Sequence, residues 1–231
     1  MTAPEGEVAR SLDAVRARVA AAARACGRAP EEVTLVAVSK LQPAALIRAA
    51  YAHGQRDFGE NYVQELTRKR DELADLADLR WHLIGHLQSN KAKYVAGFVH
   101  MAHAIDDART GAELGRRAVA AGRALEVLAQ VNVGGEAQKS GCEPGALPAL
   151  LDALARTPGL ALRGLMTVPP HTDDPAGALP YFEALRALRD ANGGAARLPA
   201  LSMGMTHDIE YAVRAGATLV RVGTAIFGAR A

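Results

Sequence analysis

Lys40 follows a short apolar stretch, residues 33–39, which is rich in β-branched side chains and has the length of a strand. A helical pattern begins at Pro43, so this lysine lies between a strand and a helix. A partly desolvated lysine has a lowered pKa, and its amine can form a Schiff base with a carbonyl compound or cofactor. The alternative is a lysine that reaches solvent from the strand end, and this stretch alone does not decide between the two.

Glycine and hydroxyl residues gather in two later segments, residues 202–206 (SMGMT) and 221–224 (RVGT). Glycines let backbone N–H groups approach an anion, and a following helix amino terminus favours negative charge. In a (β/α)8 barrel, the loops after the last two strands are the usual phosphate site. Ordinary turn chemistry is the alternative for each segment, but two such segments in the last two strands favour phosphate binding.

Arg221 alternates with two valines, so its side chain faces opposite to theirs. On a buried face this cation requires an acceptor, and a pyridine nitrogen would serve. Because arginine does not readily release a proton, that nitrogen would stay unprotonated. An ion pair with a barrel carboxylate such as Glu60 is the alternative.

The histidines do not predict a metal site. His82 and His86 lie on a predicted strand, where four residues span roughly 13 Å, so both cannot bind one ion. His100 and His103 would fall on opposite faces of the next strand. We expect His86 and Asn61 to be polar groups of a pocket, and Asn61 is also a candidate helix N-cap.

Eight strand-then-helix units must position these groups, and they predict an α/β fold, a single (β/α)8 TIM barrel over residues 1–231. A doubly wound open sheet is the alternative. An extra amino-terminal helix at residues 7–26 is expected to cover the gap after the last strand, where the chain is too short for a full eighth helix. Residues 171–176 and 192–198 are expected to be loops. The predicted strands are residues 33–39, 56–59, 81–85, 99–105, 125–133, 160–168, 200–203 and 218–222, and the predicted helices are residues 43–53, 61–77, a short one from 89, 108–121, 144–156, 176–191 and 207–215.

Composition narrows the class of protein. The chain has 231 residues, of which 49% are hydrophobic and 23% charged, as is typical of a soluble globular domain. A net charge of +2 with scattered basic residues argues against nucleic-acid binding. The amino-terminal residues lack the apolar core of a signal peptide, and no apolar run nears membrane-spanning length, so we expect no membrane contact. Two cysteines without a motif, Cys26 and Cys142, indicate a reducing cytoplasm.

Taken together, the motifs resemble the pyridoxal phosphate homeostasis protein family, also called the proline synthetase co-transcribed homologue family. They occur in the family's order from near residue 33 to the end, and the third and last are long and specific. The matching segments are residues 37–40 (AVSK), 58–65 (FGENYVQE), 81–91 (WHLIGHLQSNK), 139–141 (KSG), 164–166 (GLM), 202–205 (SMGM) and 220–228 (VRVGTAIFG).

The resemblance implies a barrel that binds pyridoxal 5′-phosphate and is similar to the amino-terminal domain of alanine racemase. Thr206 stands where the family usually has serine, which keeps a hydroxyl group, and the loop at residues 133–138 varies widely in the family. The resemblance implies that Lys40 forms the Schiff base, that Arg221 faces the pyridine nitrogen, that Ser202, Gly223 and Thr224 hold the phosphate, and that Asn61 lies beside the cofactor.

The resemblance also implies a cofactor carrier and regulator without established turnover. Its expected partners are pyridoxal phosphate and the apo-enzymes that use it, and we expect a cytoplasmic monomer. One alternative is a pyridoxal phosphate-dependent amino-acid racemase, although such enzymes take a catalytic tyrosine from a second domain that we do not expect here. A cationic Arg221 would also weaken the ring as an electron sink, although racemases of this fold tolerate it. Another alternative is a barrel isomerase or aldolase that needs no pyridoxal phosphate.

Lys139 is a further candidate group. It lies in the loop after the fifth predicted strand, beside Ser140 and Gly141. It is either a transient second acceptor for the aldehyde or an ordinary surface lysine.

Overall fold

Eight parallel strands close into a barrel in the computed structural model, which describes residues 3–136 and 138–228. The strands follow one another around the barrel in chain order, and the first pairs with both the second and the eighth. The predicted (β/α)8 barrel is therefore confirmed, and the open-sheet alternative is wrong because an open sheet would leave the first and last strands unpaired. The strands are β1 (Thr34–Val38), β2 (Asp57–Glu60), β3 (Arg80–Leu83), β4 (Met101–Ile105), β5 (Leu125–Gln130), β6 (Leu160–Met166), β7 (Ala200–Ser202) and β8 (Leu219–Val222).

Helices cover the outside of the barrel. Short 3-10 turns at Ser89–Lys91, Pro144–Ala146 and Pro175–Ala178 lead into α4, α6 and α7. The helices are α1 (Ala3–Ala25), α2 (Ala44–Ala52), α3 (Val63–Glu72), α4 (Ala92–Val95), α5 (Ala108–Ala120), α6 (Leu147–Arg156), α7 (Leu179–Ala191), α8 (Gly194–Arg197), α9 (Ile209–Arg214) and α10 (Thr224–Phe227).

The amino-terminal helix α1 completes the outer ring, as predicted. It packs against α2, α9 and α10, beside the place where β8 and β1 meet. Val8, Leu12, Val15 and Val19 recur at helical spacing and are buried, so one stripe of α1 faces the barrel wall.

One predicted helix is longer than the helix in the structure, and one predicted loop contains a short helix. Helix α3 ends at Glu72 rather than at residue 77. The segment after it is held by ion pairs from Arg48 to Asp75 and from Arg56 to Asp78, which direct it toward α2 in place of another helical turn. Residues 192–198, predicted to be a loop, contain the short helix α8.

The barrel interior is filled by its own apolar cluster, separate from the larger core between strands and helices. Val36 and Leu219 belong to this interior cluster, so every second residue along β1 and β8 faces inward. Val38 and Arg221 therefore face the same interior, above the apolar plug. This register fixes which side chains reach the open end of the barrel.

No helix in the described part of the chain has both the length and the apolarity to cross a membrane.

Candidate functional site

A cavity of about 320 Å³ opens at the carboxyl ends of the strands, within the usual size range of small-molecule sites. The structure brings five of the six predicted site residues to its wall: Lys40, Asn61, Arg221, Gly223 and Thr224. These residues come from loops and strand ends that are far apart in sequence, so the barrel is what assembles them.

Lys40 lies in the turn between β1 and α2 and is half-buried. The turn is tightly defined, because the Gln42 N–H donates to the Ser39 carbonyl and Leu41 has a φ of 60°. A positive φ is strained for a leucine. The Leu41 N–H donates to Glu65 Oε1 at 2.7 Å, so helix α3 holds this backbone in place.

A buried charged cluster on α3 fixes the same turn from outside the barrel wall. Lys69 is fully buried, and its ammonium donates to the Ser39 carbonyl at 2.6 Å, to Glu60 Oε1 at 2.8 Å and to Glu65 Oε1 at 2.7 Å. The Ser39 hydroxyl also donates to Glu60 Oε1. Burial raises the pKa of Glu60, and Lys69 opposes that rise. Sequence reasoning missed this cluster, although the spacing of Glu65 and Lys69, four residues apart on a helix, is a recognisable signal.

Asn61 lies just beyond β2, and the end of β3 packs directly against its backbone. A Cβ atom at Gly85 would lie 2.3 Å from the Asn61 carbonyl oxygen, so only glycine permits this contact. The predicted N-cap role of Asn61 is wrong, since the residue before α3 is Tyr62 and no side chain caps the helix there. Asn61 is thereby left at the cavity wall.

Arg221 is a buried cation that lines the floor of the cavity. Its Nη1 donates to Ser202 Oγ at 2.7 Å and its Nη2 donates to the Thr167 carbonyl at 2.9 Å. Burial lowers the pKa of Arg221 to about 10, against the attraction of Asp208. The guanidinium therefore remains charged at neutral pH.

The alternative ion pair between Arg221 and Glu60 is wrong. Glu60 faces away from the barrel interior because Gly59, its neighbour in the strand, faces inward, and the Glu60 carboxylate pairs with Lys69. Within the described residues, no carboxylate oxygen lies within ion-pair distance of the Arg221 guanidinium. The protein groups that accept hydrogen bonds from it, the Ser202 hydroxyl and the Thr167 carbonyl, are both neutral.

Ser202 is placed differently from its predicted role as a phosphate contact. Its side chain is fully buried and is absent from the described cavity wall. Its hydroxyl is occupied by Arg221 and by His103 Nδ1, at 2.8 Å from the latter. The hydroxyl residue that the β7 loop brings to the wall is Thr206, whose carbonyl accepts a hydrogen bond from Arg18 of α1 at 3.1 Å.

The segment after β8 starts the short helix α10 at the cavity wall. The Ile226 and Phe227 N–H groups both donate to the Gly223 carbonyl, which starts α10. The first N–H groups of a helix have no acceptor within the helix and carry partial positive charge. A Cβ atom at Gly223 would lie 3.0 Å from the Val38 carbonyl oxygen, so glycine keeps β8 close to β1 at the cavity wall.

The histidines do not form a metal-binding group. In the described parts of the chain, no cluster of three or more His, Cys, Asp or Glu side chains has a geometry suited to a metal ion. His86 is half-exposed and lies 3.3 Å from Asp106, away from His82. The rings of His100 and His103 both contact the His82 ring, at 5.4 and 5.1 Å between centroids. His100 lies before β4, which starts at Met101, so its predicted position on the opposite strand face stays a prediction.

Lys139 lies outside the described cavity wall. Its ammonium donates to the Pro169 carbonyl at 2.9 Å and pairs with the Glu136 carboxylate. These two oxygen partners hold the ammonium within its own loop. The geometry therefore favours a structural role for Lys139 in this loop.

Comparison with known proteins first defines the class. Residues 11–231 match the model of the family described as alanine racemase, N-terminal domain. Two bacterial relatives are named pyridoxal phosphate homeostasis protein: one from Pseudomonas aeruginosa is 49% identical over 96% of each chain, and one from Escherichia coli is 44% identical over 97% of each. The structure of PipY from Synechococcus elongatus PCC7942 with PLP bound is 39% identical, has a TM-score of 0.83 and matches 96% of this chain and all of that one. Within the alanine racemase-like barrels, this chain belongs to the pyridoxal phosphate homeostasis protein family.

Proposed function

We propose that this chain binds pyridoxal 5′-phosphate in the cavity and serves intracellular homeostasis of that cofactor as a carrier. The observation that carries the proposal is the meeting, in one cavity, of a lysine amine, a buried cation that no carboxylate of the described residues contacts, and the start of a helix. The family relatives named above support it.

The residues present match the chemical groups of this cofactor one by one. When bound, the cofactor supplies an aldehyde that condenses with an amine and releases one water. Lys40 supplies that amine, and the clamp from Glu65 and Lys69 holds its turn in place. Arg221 would donate to the ring nitrogen, and because arginine stays protonated, that nitrogen would remain an acceptor.

The phosphate belongs at the other end of the cavity. Gly223 and Thr224 offer backbone N–H groups at the start of α10, and Thr206 lies on the same wall. Arg18 of α1 donates a hydrogen bond to the Thr206 carbonyl, so the amino-terminal helix supports this part of the cavity wall. Asn61 lies at the wall on the β2 side and offers an amide to the polar edge of the ring.

A carrier fits the cavity wall better than a racemase does. Racemisation needs two groups that exchange protons with opposite faces of the substrate carbon. Lys40 is one such group, and the described wall contains no tyrosine to act as the other. The polar groups on the wall hold and orient a ligand, which is what a carrier requires.

The same proposal implies an oligomeric state, a cellular compartment and a class of partner. We expect a single-domain monomer in the cytoplasm, where apo-enzymes that use pyridoxal phosphate are the receivers. Cys26 and Cys142 are both unpaired, which fits a reducing compartment.

A spectroscopic titration tests cofactor binding. Adding pyridoxal phosphate to the purified protein should produce a visible absorbance band that borohydride abolishes. Lys40→Ala should not produce the band, while the control Lys91→Ala, which alters a lysine outside the described cavity wall, should behave like wild type. A protein that stays colourless, or a Lys40→Ala variant with the full band, would contradict the proposal.

A transfer assay tests the carrier role. Loaded protein mixed with an apo-enzyme should restore its activity faster than passive release of the cofactor allows. Recovery no faster than release would argue against active delivery. Racemisation of alanine or serine at roughly 1 s⁻¹ or more, as in ordinary enzymes, would favour the racemase instead.

A further inference from the structure

Polar side chains form an unbroken hydrogen-bonded line through the barrel interior, from Arg221 to the amino-terminal end. Ser202 Oγ lies 2.7 Å from Arg221 Nη1 and 2.8 Å from His103 Nδ1. His103 Nε2 lies 2.9 Å from His82 Nδ1, and His82 Nε2 lies 2.9 Å from Asp57 Oδ1. All five residues are buried, and an apolar plug surrounds the line. A buried polar line of this length is costly unless every donor and acceptor is satisfied.

The chemistry of the two ends gives the line one direction. Arg221 can only donate, so Ser202 Oγ accepts, and the hydroxyl proton is available to His103 Nδ1. At the other end, Asp57 also accepts two hydrogen bonds from Arg80, at 2.9 and 2.6 Å. An ionised carboxylate can only accept, so His82 must donate to it from Nε2.

The two histidine tautomers follow from these ends. If His82 carries its single ring proton on Nε2, its Nδ1 is an acceptor, and His103 then donates to it from Nε2. His103 Nδ1 is then the acceptor that the Ser202 hydroxyl requires. The two ends of the line require the same pattern, in which every proton points from Arg221 toward Asp57. The opposite pattern would leave the Ser202 proton without an acceptor along the line.

This line gives Arg221 a buried hydrogen-bond acceptor at a place where no carboxylate of the described residues contacts it. Each hydrogen bond polarises the next, so the negative charge of Asp57 strengthens Ser202 Oγ as an acceptor. A carboxylate in direct contact would have neutralised the guanidinium. At the end of a relay, the guanidinium is held in orientation while its charge remains directed at the cavity.

We propose that Asp57, His82, His103 and Ser202 are positioning residues that fix Arg221 as an oriented cationic donor to the ring nitrogen of a heteroaromatic ligand. The inference rests on the proposed binding of pyridoxal phosphate. A purely structural line would stabilise the barrel but would not distinguish a ligand with a ring nitrogen from one without it.

The first test needs no cofactor. Long-range ¹⁵N–¹H spectra of the unliganded, ¹⁵N-histidine-labelled protein should show His82 and His103 protonated on Nε2 alone. Protonation of either ring on Nδ1 would overturn the proposed direction.

The second test compares pyridoxal phosphate with its 1-deaza analogue, in which a C–H group replaces the ring nitrogen. Asp57→Asn and Ser202→Ala cut the line at opposite ends, and each should weaken binding of pyridoxal phosphate by about tenfold, the loss of roughly one charge-assisted hydrogen bond. Binding of the deaza analogue should change less than twofold. Asp75→Asn, which alters an exposed ion pair with Arg48, is the matched control and should leave both affinities unchanged.

The outcomes separate this inference from the proposed function. Equal weakening of both ligands in both variants would mean that the line only supports the fold, while cofactor binding would stand. If wild type binds neither ligand, the proposed function fails and so does the line's role toward a cofactor. Circular dichroism would identify a variant that fails to fold, and the other variant then provides the comparison.

Discussion

Two buried cations lie on opposite sides of the barrel wall near the cavity, and their surroundings differ. Lys69, on the outside, is fully buried and contacts two carboxylates, Glu60 and Glu65. Arg221, on the inside, is almost as buried and contacts a hydroxyl and a carbonyl, both neutral. Lys69 is therefore neutralised by direct contact, whereas no carboxylate of the described residues contacts Arg221.

The difference separates a cation that stabilises the fold from a cation that can attract a ligand. A cation paired with carboxylates contributes geometry, and here Lys69 holds the turn that carries Lys40. A cation kept among neutral acceptors keeps its attraction for a ligand, at the cost that burial lowers the pKa of Arg221 to about 10. Stability should therefore depend mainly on Lys69, and ligand binding mainly on Arg221.

The largest expected effect is on folding stability in Lys69→Met. Removing this ammonium leaves Glu60 and Glu65 buried or partly buried without their cation, so the free energy of unfolding should fall by about 3–5 kcal/mol. Urea unfolding monitored by circular dichroism measures it. Lys93→Met, at an exposed lysine, is the control and should change stability by less than about 0.5 kcal/mol. A loss of similar size in both variants would contradict the stabilising role assigned to Lys69.

Arg221→Met should show the reverse pattern. Its protein partners are neutral, so the free energy of unfolding should fall by no more than about 2 kcal/mol. Affinity for pyridoxal phosphate should fall at least about tenfold, because a charge-assisted hydrogen bond to the ligand is lost. Fluorescence or absorbance titration measures the second quantity. If Arg221→Met unfolds as readily as Lys69→Met, the two cations do not have the separate roles assigned to them.

The smallest expected effect is a pH dependence that belongs to the inner side of the wall. Complete burial, with His82 and Arg221 nearby, holds the pKa of His103 well below its ordinary value of 6.5. The unfolded chain binds a proton there near pH 6.5, while the folded chain does not. Its stabilising contribution is therefore complete above that pH and is lost as the pH falls, by at most about 1.4 kcal/mol per pH unit.

Urea unfolding at pH 7.5, 6.5 and 5.5 checks this slope. His103→Gln should flatten it, and the exposed control His171→Gln should keep the wild-type slope. An unchanged slope in His103→Gln would show that His103 gains its proton in the folded state as readily as in the unfolded chain.

The sequence predicted the barrel because its strands and helices recur in a regular order with strong apolar patterns. Lys40, Arg221, Gly223 and Thr224 were predictable for the same reason, since the order of strands places their loops at one end. The partners of Arg221 were not predictable. Which strand residues face each other across a barrel depends on register and shear, which a single sequence does not specify.

Ser202 and Thr206 illustrate this limit. Both carry hydroxyl groups in one glycine-containing segment, so the residue types alone did not show which of the two would reach the cavity wall. Ser202 ends β7 and faces the interior, where Arg221 and His103 occupy its hydroxyl, whereas Thr206 lies in the loop beyond and reaches the cavity wall. The spacing of Glu65 and Lys69 indicates an ion pair on a helix, but such pairs are usually exposed, so the spacing did not predict that Lys69 is buried.

The most direct test of the account is to locate the amine that holds the cofactor. Protein loaded with pyridoxal phosphate is reduced with borohydride and digested, and the labelled peptide is sequenced by mass spectrometry. The account predicts a single major label on Lys40, and none on Lys69, which three oxygen partners hold. A major label on Lys139 or Lys91, or the same labelling in Lys40→Ala, would contradict it.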